Sequence, residues 1–491
     1  MRAFYMSKEI KELIDEIDVS ESNYEKTSSR YKTIATYIKE SDLAKYSPDI
    51  YLQGSIKLGT AIKPLTEDGA YDIDIVCNMT KKRRHHQTQR ELKDELGKVV
   101  KNYSIKHSME KVPKESNRCW TLNYVDESNF HIDILPAVPW NDMDDGNIAI
   151  SDKRSDNYDD ITFDWEVSNP KGYSEWFKKQ SDFKTIKESY AKQFYAKIEE
   201  IPEYKIKTPL QRIVQLLKRH AEVMFADDME YKPSSIIITT LAAKIYPECT
   251  TVSNDFETLL LNVIRKLLNG IEYENENPCI YNPVNRKEKL SLKWDRNRQY
   301  FEFFLKWYEQ LKVDFSVDNE ALPLNESLFY IQRSLHKNSN EIGISLNSLS
   351  HHQKSKWKLS SIAKTDVEIK AYYSWGSFRF KQIKSGEALN KKGKLRFEVK
   401  ALNIKGYDIY WQITNTGYEA INANCLRGDF YNSELEQGKR IRTEETCYTG
   451  RHYVEAYLVK NDICYGKSKP FEVNIIDGIT FTWFNAKQLR G

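Results

Sequence analysis

The run Tyr71-Asp72-Ile73-Asp74-Ile75-Val76 leaves the chain few choices. Alternation with β-branched residues spells a strand, and side chains on a strand alternate faces. Asp72 and Asp74 therefore share one face, while Tyr71, Ile73 and Ile75 share the other. Neighbouring carboxylates repel unless water or cations neutralise them, and Mg²⁺ prefers such oxygen ligands. A third carboxylate, Asp133, interrupts the apolar run Phe130-His131-Ile132-Asp133-Ile134-Leu135. Three carboxylates on neighbouring strands suit two cations about 3.5–4 Å apart, the two-metal arrangement for phosphoryl transfer. A solvent-facing pair of aspartates on an open sheet is the bland alternative for the first two.

Upstream, Gly54-Ser55 follows the apolar residues Ile50-Tyr51-Leu52. A glycine lets backbone approach a phosphate, and a serine adds a hydroxyl donor to the local amides. A phosphate cradle shortly before a metal-binding carboxylate pair is a functional combination.

The chain has 491 residues, 40% hydrophobic and 30% charged. This is a folded composition, too long for one ordinary core. The best apolar stretch, Ile236 to Tyr246, is short and contains Lys244, so no membrane helix is expected. The charged N-terminus shows no secretory signal, and the seven scattered cysteines show no zinc spacing. Together these features lead us to expect a cytoplasmic protein with reduced thiols. Net charge is +3, which does not suggest a dedicated duplex-DNA binder.

Helical spacing dominates from Ser7 to Ser41 and again from Tyr173 to about Tyr308. Within the second region, residues 210, 213, 214 and 217 form an apolar stripe with Lys218 at its edge. By itself, Lys218 reads as an ordinary solvated helix lysine. After Trp357 the pattern becomes short alternating runs such as VEIKAYYS, KLRFEVKAL and HYVEAYLV, as in a β-sandwich. The expected division is a core at 1–165, a helical lobe at 166–330, a polar linker at 331–357 and a β-sandwich at 358–480.

GSIKLGTAIKPL, YDIDIV and FHIDILPAV together resemble the GS…DxD…D pattern of Pol β-like nucleotidyltransferases. The resemblance is closer to the bacterial CD-NTases, cyclic GMP-AMP synthase-like enzymes with a SMODS domain. SNPKGYSEWF, PLQRIVQLLKRH and KPSSIII follow in the family's order. In the tail, YWQITNTGYEAINANCLRGDF and TEETCYTGRHYVEAYLVKNDICYGKSKPFEVNI resemble the family's C-terminal AGS-C sensor domain. The fold implied is α+β: a Pol β-like core, a helical second lobe and a C-terminal β-sandwich.

The resemblance also implies roles. Asp72, Asp74 and Asp133 would hold Mg²⁺, with Mn²⁺ a substitute. Gly54 and Ser55 would grip the donor triphosphate, and Lys218 and Ser235 (or Ser234) would contact its phosphates. In that role, truncation of Lys218 to alanine is expected to weaken nucleotide binding with little change in melting temperature. His131 is expected to pack or support. The basic stretch Lys81 to His86 is expected to be a solvated loop, or a contact for polyanions. The activity implied is synthesis of a cyclic oligonucleotide from ATP and other NTPs, with release of pyrophosphate. The product would activate an effector in CBASS antiphage signalling. A linear oligonucleotide synthase, a tRNA-modifying nucleotidyltransferase and an inactive nucleotide sensor are the alternatives. For the tail, the aromatic and basic residues Tyr407, Tyr410, Trp411, Tyr418, Tyr448, His452, Tyr453, Arg427, Arg440, Arg442 and Arg451 suggest a nucleotide or nucleic-acid ligand.

Overall fold

A computed structural model describes residues 6, 8–66, 69–125, 129–143, 145–193, 203–226, 229–251, 255–315, 317, 346, 349, 351–360, 365–401, 406–416, 419–420, 423–436 and 438–476. The chain divides into two compact units, Met1–Trp307 and Tyr308–Gly491. Among the described residues no helix is long and apolar enough to cross a membrane.

The first unit opens with helices α1 (Lys8–Ile17) and α2 (Glu21–Glu40). Strand β1 (Pro48–Gln53) leads into the short helix α3 (Gly54–Leu58), then β2 (Tyr71–Met79) and α4 (Gln89–Lys106). Strands β3 (Lys114–Glu115), β4 (Trp120–Tyr124), β5 (Phe130–Pro139), β6 (Ile148–Ile150) and β7 (Glu166–Ser168) complete the sheet. Its order is β1-β2-β5-β4-β3, with β6 and β7 continuing from β5. Among these described strands only β2 and β5 run parallel, with Asp72 opposite His131 and Asp74 opposite Asp133.

Alternation along β2 and β5 separates the two faces. Ile73, Ile75, Cys77, Ile132 and Ile134 pack with Ile34 and Ile38 of α2 and Leu92, Leu96 and Val100 of α4. A reciprocal cap starts α4: the Glu91 amide donates to Thr88 Oγ1 at 3.0 Å, and the Thr88 amide donates to Glu91 Oε2 at 2.9 Å. The helices cover one face of the sheet and leave the carboxylates on the other.

Helices α5 (Pro170–Gln180), α6 (Phe183–Gln193), α7 (Pro209–Met224), α8 (Ser235–Thr250) and α9 (Phe256–Lys266) follow. Helix α7 carries Pro209 in its first turn and another reciprocal cap, Thr208 with Gln211. It is more buried than its apolar stripe suggests, since Gln211, Gln215, Lys218, Arg219 and His220 are buried too.

The second unit is a pair of packed sheets. One has the order Lys358–Leu359, Ile463–Lys467, Gly450–Lys460, Asp408–Thr414, Phe430–Asn432, and Phe471–Ile476 joins Gly450–Lys460 to Ala388–Asn390. The other runs Lys381–Ile383, Glu368–Trp375, Gly393–Lys400, Lys439–Glu445, Glu434–Glu436. Tyr373, Leu395 and Phe397 of the second sheet meet Trp411, Val454, Ala456 and Val473 of the first in a common core. Much of the expected linker lies outside the described residues. His351 and His352, at its end, belong to the sandwich: His351 Nε2 bonds the Asn415 carbonyl and His352 Nδ1 bonds Thr414 Oγ1, both at 2.8 Å.

The aromatic and basic residues singled out in the tail are largely spent on the fold. Trp411, Tyr453 and His452 are buried. Arg451 lies between Asp314 and Glu472, Arg427 and Arg442 hold Glu444, and Arg440 pairs with Asp408. Tyr418 lies outside the described residues. Among the described residues of this unit, the exposed large aromatics are Phe378 and Phe380, on either side of Arg379.

Two buried histidines, His352 and His452, make this unit acid-sensitive. His452 Nδ1 accepts the Thr416 amide at 3.1 Å, while Nε2 lies 2.8 Å from the Tyr448 carbonyl. Those partners require the neutral ring with its proton on Nε2. Burial lowers its pKa to about 4. Between the unfolded value of about 6.5 and the folded value, the unfolded state binds the extra proton. The stabilisation is therefore full above about pH 6.5 and is lost as pH falls toward 4. About 3 kcal/mol should disappear over that window. In calorimetry of the full chain at a series of pH values, His452→Gln should remove this part of the acid dependence. Parallel acid profiles for variant and wild type would contradict the assignment.

Candidate active site

The paired strands bring the three aspartates to one surface. Asp74 and Asp133 are directly opposite, and Asp72 is two residues along from Asp74. Thr121, opposite Asp133 on β4, donates its hydroxyl to Asp133 Oδ1. His131 Nδ1 stands 3.6 Å from Asp72 Oδ1. Burial, then the charges of Asp133 and Asp72, raises the Asp74 carboxyl to about 7. Asp72 is also raised, first by the protein around it and then by Asp133, against the pull of His131, Lys218 and Lys232. Water still reaches it, since its side chain is 72% exposed, so this is the effect of an open cleft rather than enclosure.

The loop after β1 approaches the same place. Gly54 has φ +64°, and a Cβ there would overlap the Asp74 carboxylate. Only glycine brings backbone this close to Asp74 without strain. Ser55 is half-buried beside it, and its carbonyl accepts the Thr60 amide at 2.9 Å.

Helix α7 then grips the loop by its carbonyls. Gln211 Nε2 donates to Leu58 O at 2.8 Å, Lys218 Nζ to Thr60 O at 2.8 Å and Gln215 Nε2 to Ala61 O at 2.7 Å, and Arg219 donates to Lys63 O. Positions 211, 215, 218 and 219 fall along one helical face, so a polar stripe runs beside the apolar one. The periodic spacing of two glutamines and a lysine was the available signal, but glutamines in a helix ordinarily read as solvent-facing.

Lys218 is therefore a buried residue, not a solvated one. Burial lowers its pKa to about 8, with Asp74 and Asp72 among the charges that favour its protonated form. Truncation would orphan the Thr60 carbonyl, which corrects the expectation of unchanged stability. Lys218→Met should lower stability by about 1–3 kcal/mol and reduce kcat/KM for NTPs at least tenfold. Thermal melts and steady-state kinetics check both parts. Wild-type kinetics in a folded variant would leave Lys218 only its structural bond.

Ser235 is the exposed first residue of α8, and Ser234 precedes it half-buried. Among the described residues the Ser235 hydroxyl makes no hydrogen bond to the carboxylates or Lys218. Lys232, three residues earlier, lowers the Asp72 pKa through its charge and was missed as a site candidate. The basic stretch is not freely solvated: Arg84 stacks on Trp140 at 3.7 Å and His85 on Phe163 at 4.6 Å.

The donor set suits a hard divalent cation: oxygen-only, mutually repelling and partly desolvated. Asp72, Asp74 and Asp133 are the residues that would hold it. As placed, among the described residues no three His, Cys, Asp or Glu side chains converge on one ion position.

Comparison with known proteins agrees with this architecture. Residues 5–181 match the Second Messenger Oligonucleotide or Dinucleotide Synthetase domain, and residues 347–476 match the Adenylyl/Guanylyl and SMODS C-terminal sensor domain. A c-di-GMP synthase of Roseivirga ehrenbergii is 28% identical over 316 residues, covering 62% of this chain and 79% of the relative. The Bradyrhizobium diazoefficiens CD-NTase CdnG, solved in complex with GTP, superposes with a TM-score of 0.52 at 18% identity, over 67% of this chain and 95% of that one. These define a nucleotidyltransferase of the class that synthesises cyclic oligonucleotides. The chain is similar to the bacterial CD-NTases, with a synthetase domain followed by the sensor domain.

Proposed function

We propose that this enzyme joins NTPs into a cyclic oligonucleotide at the face formed by Asp72, Asp74, Asp133 and the Gly54-Ser55 loop. The carrying observation is the direct pairing of Asp74 with Asp133, with Gly54 against the Asp74 carboxylate. In this reading the Gly54-Ser55 backbone and hydroxyl hold the donor triphosphate. Lys218 and Lys232 add positive charge on the side of Asp72. Bound Mg²⁺, or Mn²⁺ in its place, would neutralise triphosphate charge and lower the pKa of the attacking ribose hydroxyl. Position and neutralised charge then let pyrophosphate leave in line.

The GTP complex of CdnG and the c-di-GMP synthase relative support GTP, alongside ATP, as a substrate to try first. We place the enzyme in the cytoplasm, in antiphage signalling, with its product activating an effector. Purified protein incubated with Mg²⁺ or Mn²⁺ and mixed labelled NTPs tests the reading. Phosphatase-resistant product supports cyclisation, whereas phosphatase-sensitive ladders would make it a linear synthase.

For the second domain we propose a nucleotide or single-stranded nucleic-acid ligand that stacks on Phe378 and Phe380, with Arg379 at its phosphates. Oligonucleotide affinity of the full chain should fall with salt and be lost in a Phe378→Ala/Phe380→Ala variant. Equal binding by variant and wild type would exclude this surface.

A further inference from the structure

Asp18, just beyond α1, is tied to the loop that follows Gly54-Ser55. Its side chain is only 14% exposed. Four donors converge on its two oxygens: Gln215 Nε2 at 2.7 Å, Arg212 Nη1 at 2.8 Å, Lys207 Nζ at 2.9 Å and the Val19 amide at 2.9 Å. Three of the four fall on Oδ1 and the Arg212 bond on Oδ2, so most of the acceptor capacity of the carboxylate is used. The backbone here is joined to the same loop: the Lys63 amide donates to Ile17 O at 2.8 Å, and Asp18 bridges Ile62.

Gln215 makes the connection. An amide nitrogen carries two hydrogens, and Gln215 Nε2 spends one on Asp18 and the other on the Ala61 carbonyl at 2.7 Å. Its oxygen accepts Arg212 Nη1 at 3.3 Å. A carboxylate at position 18 therefore dictates which end of the amide faces the loop. With the amide reversed, oxygen would oppose the Ala61 carbonyl and the Asp18 carboxylate, and nitrogen would face the Arg212 guanidinium. Arg212, itself on α7, is held by the same carboxylate, so Asp18 also fixes the helix whose stripe grips Leu58, Thr60 and Ala61.

We propose that Asp18 is a positioning residue for nucleotide binding, setting the 58–63 loop through Gln215. The proposal rests on the triphosphate role given above to Gly54-Ser55. Asp18 does not touch the nucleotide in this account; it acts through the loop.

The test is Asp18→Asn in the full chain, which keeps the shape but removes the charge and one acceptor. Affinity for a non-hydrolysable GTP or ATP analogue with Mg²⁺ is measured by titration, below the melting temperature of each variant. Binding should weaken at least tenfold in Asp18→Asn. Gln215→Met, which leaves Asp18 paired with Lys207 and Arg212, should weaken it similarly, and the double variant no further than the more impaired single. A lower melting temperature with unchanged affinity in both singles would overturn the proposal and leave Asp18 a structural support. Should Asp18→Asn not fold, the Gln215→Met affinity decides alone. Failure of the wild type to bind any NTP analogue would overturn the triphosphate reading, and this proposal with it.

Discussion

Asp74→Asn should lower the rate of product formation at least a thousandfold while leaving the fold intact. In the proposed reading Asp74 is a ligand of the charge-neutralising cation, and losing it costs about 4 kcal/mol of transition-state stabilisation, which corresponds to that factor. Stability should move the other way. Burial and the charges of Asp133 and Asp72 raise the Asp74 pKa to about 7. The folded wild type therefore binds a proton more tightly than the unfolded chain. Its stability is fully present below the unfolded value of about 3.9 and declines as pH rises through 7. Without divalent metal at pH 8, Asp74→Asn should melt at or above the wild-type temperature, and the gap should close toward pH 4. More than a tenth of wild-type activity in the variant, or a markedly lower melting temperature at pH 8, would contradict the placement of Asp74.

Gly54→Ala is expected to be nearly as damaging through geometry alone. Gly54 has φ +64°, and its new methyl would overlap the Asp74 carboxylate. The left-handed backbone costs about 1–2 kcal/mol for an L-residue. The larger effect is on Asp74, which must turn away or push the loop back. A misplacement of about 1 Å in a phosphoryl-transfer site costs on the order of a hundredfold in rate. Steady-state kinetics should show a fall of that size in kcat/KM, with a modest loss of melting temperature. A variant with normal kinetics would mean that the loop need not touch Asp74 during the reaction.

The parts of the site legible in the sequence are residue types that violate their surroundings. Aspartates in a β-branched strand, and a glycine just after one, each have a local reading as a solvent-facing face or a turn, and it was their combination, in the order that the family resemblance implies, that pointed to chemistry. The grip of α7 on the loop was not legible for the opposite reason. Gln211, Gln215 and Arg219 are ordinary helix-surface residues until a second segment brings carbonyls to them, and that segment lies about 150 residues away in sequence. Asp18 was silent for the same reason. In the sandwich, long strands such as Gly450–Lys460 were visible by alternation. The three-residue strands Ala388–Asn390 and Phe430–Asn432 are set by their neighbours and carry too little pattern. The tail's arginines looked like a ligand surface because sequence records their charge but not the acidic partners that consume it.

The most direct measurement is liquid chromatography and mass spectrometry of phosphatase-treated reactions containing GTP, ATP and Mg²⁺. Wild type and Asp74→Asn are compared side by side. Wild-type enzyme should yield a phosphatase-resistant cyclic oligonucleotide with stoichiometric pyrophosphate, and the variant should yield less than a thousandth as much. Products that phosphatase degrades completely, or equal yields from the two proteins, would contradict a cyclising site built on Asp72, Asp74 and Asp133.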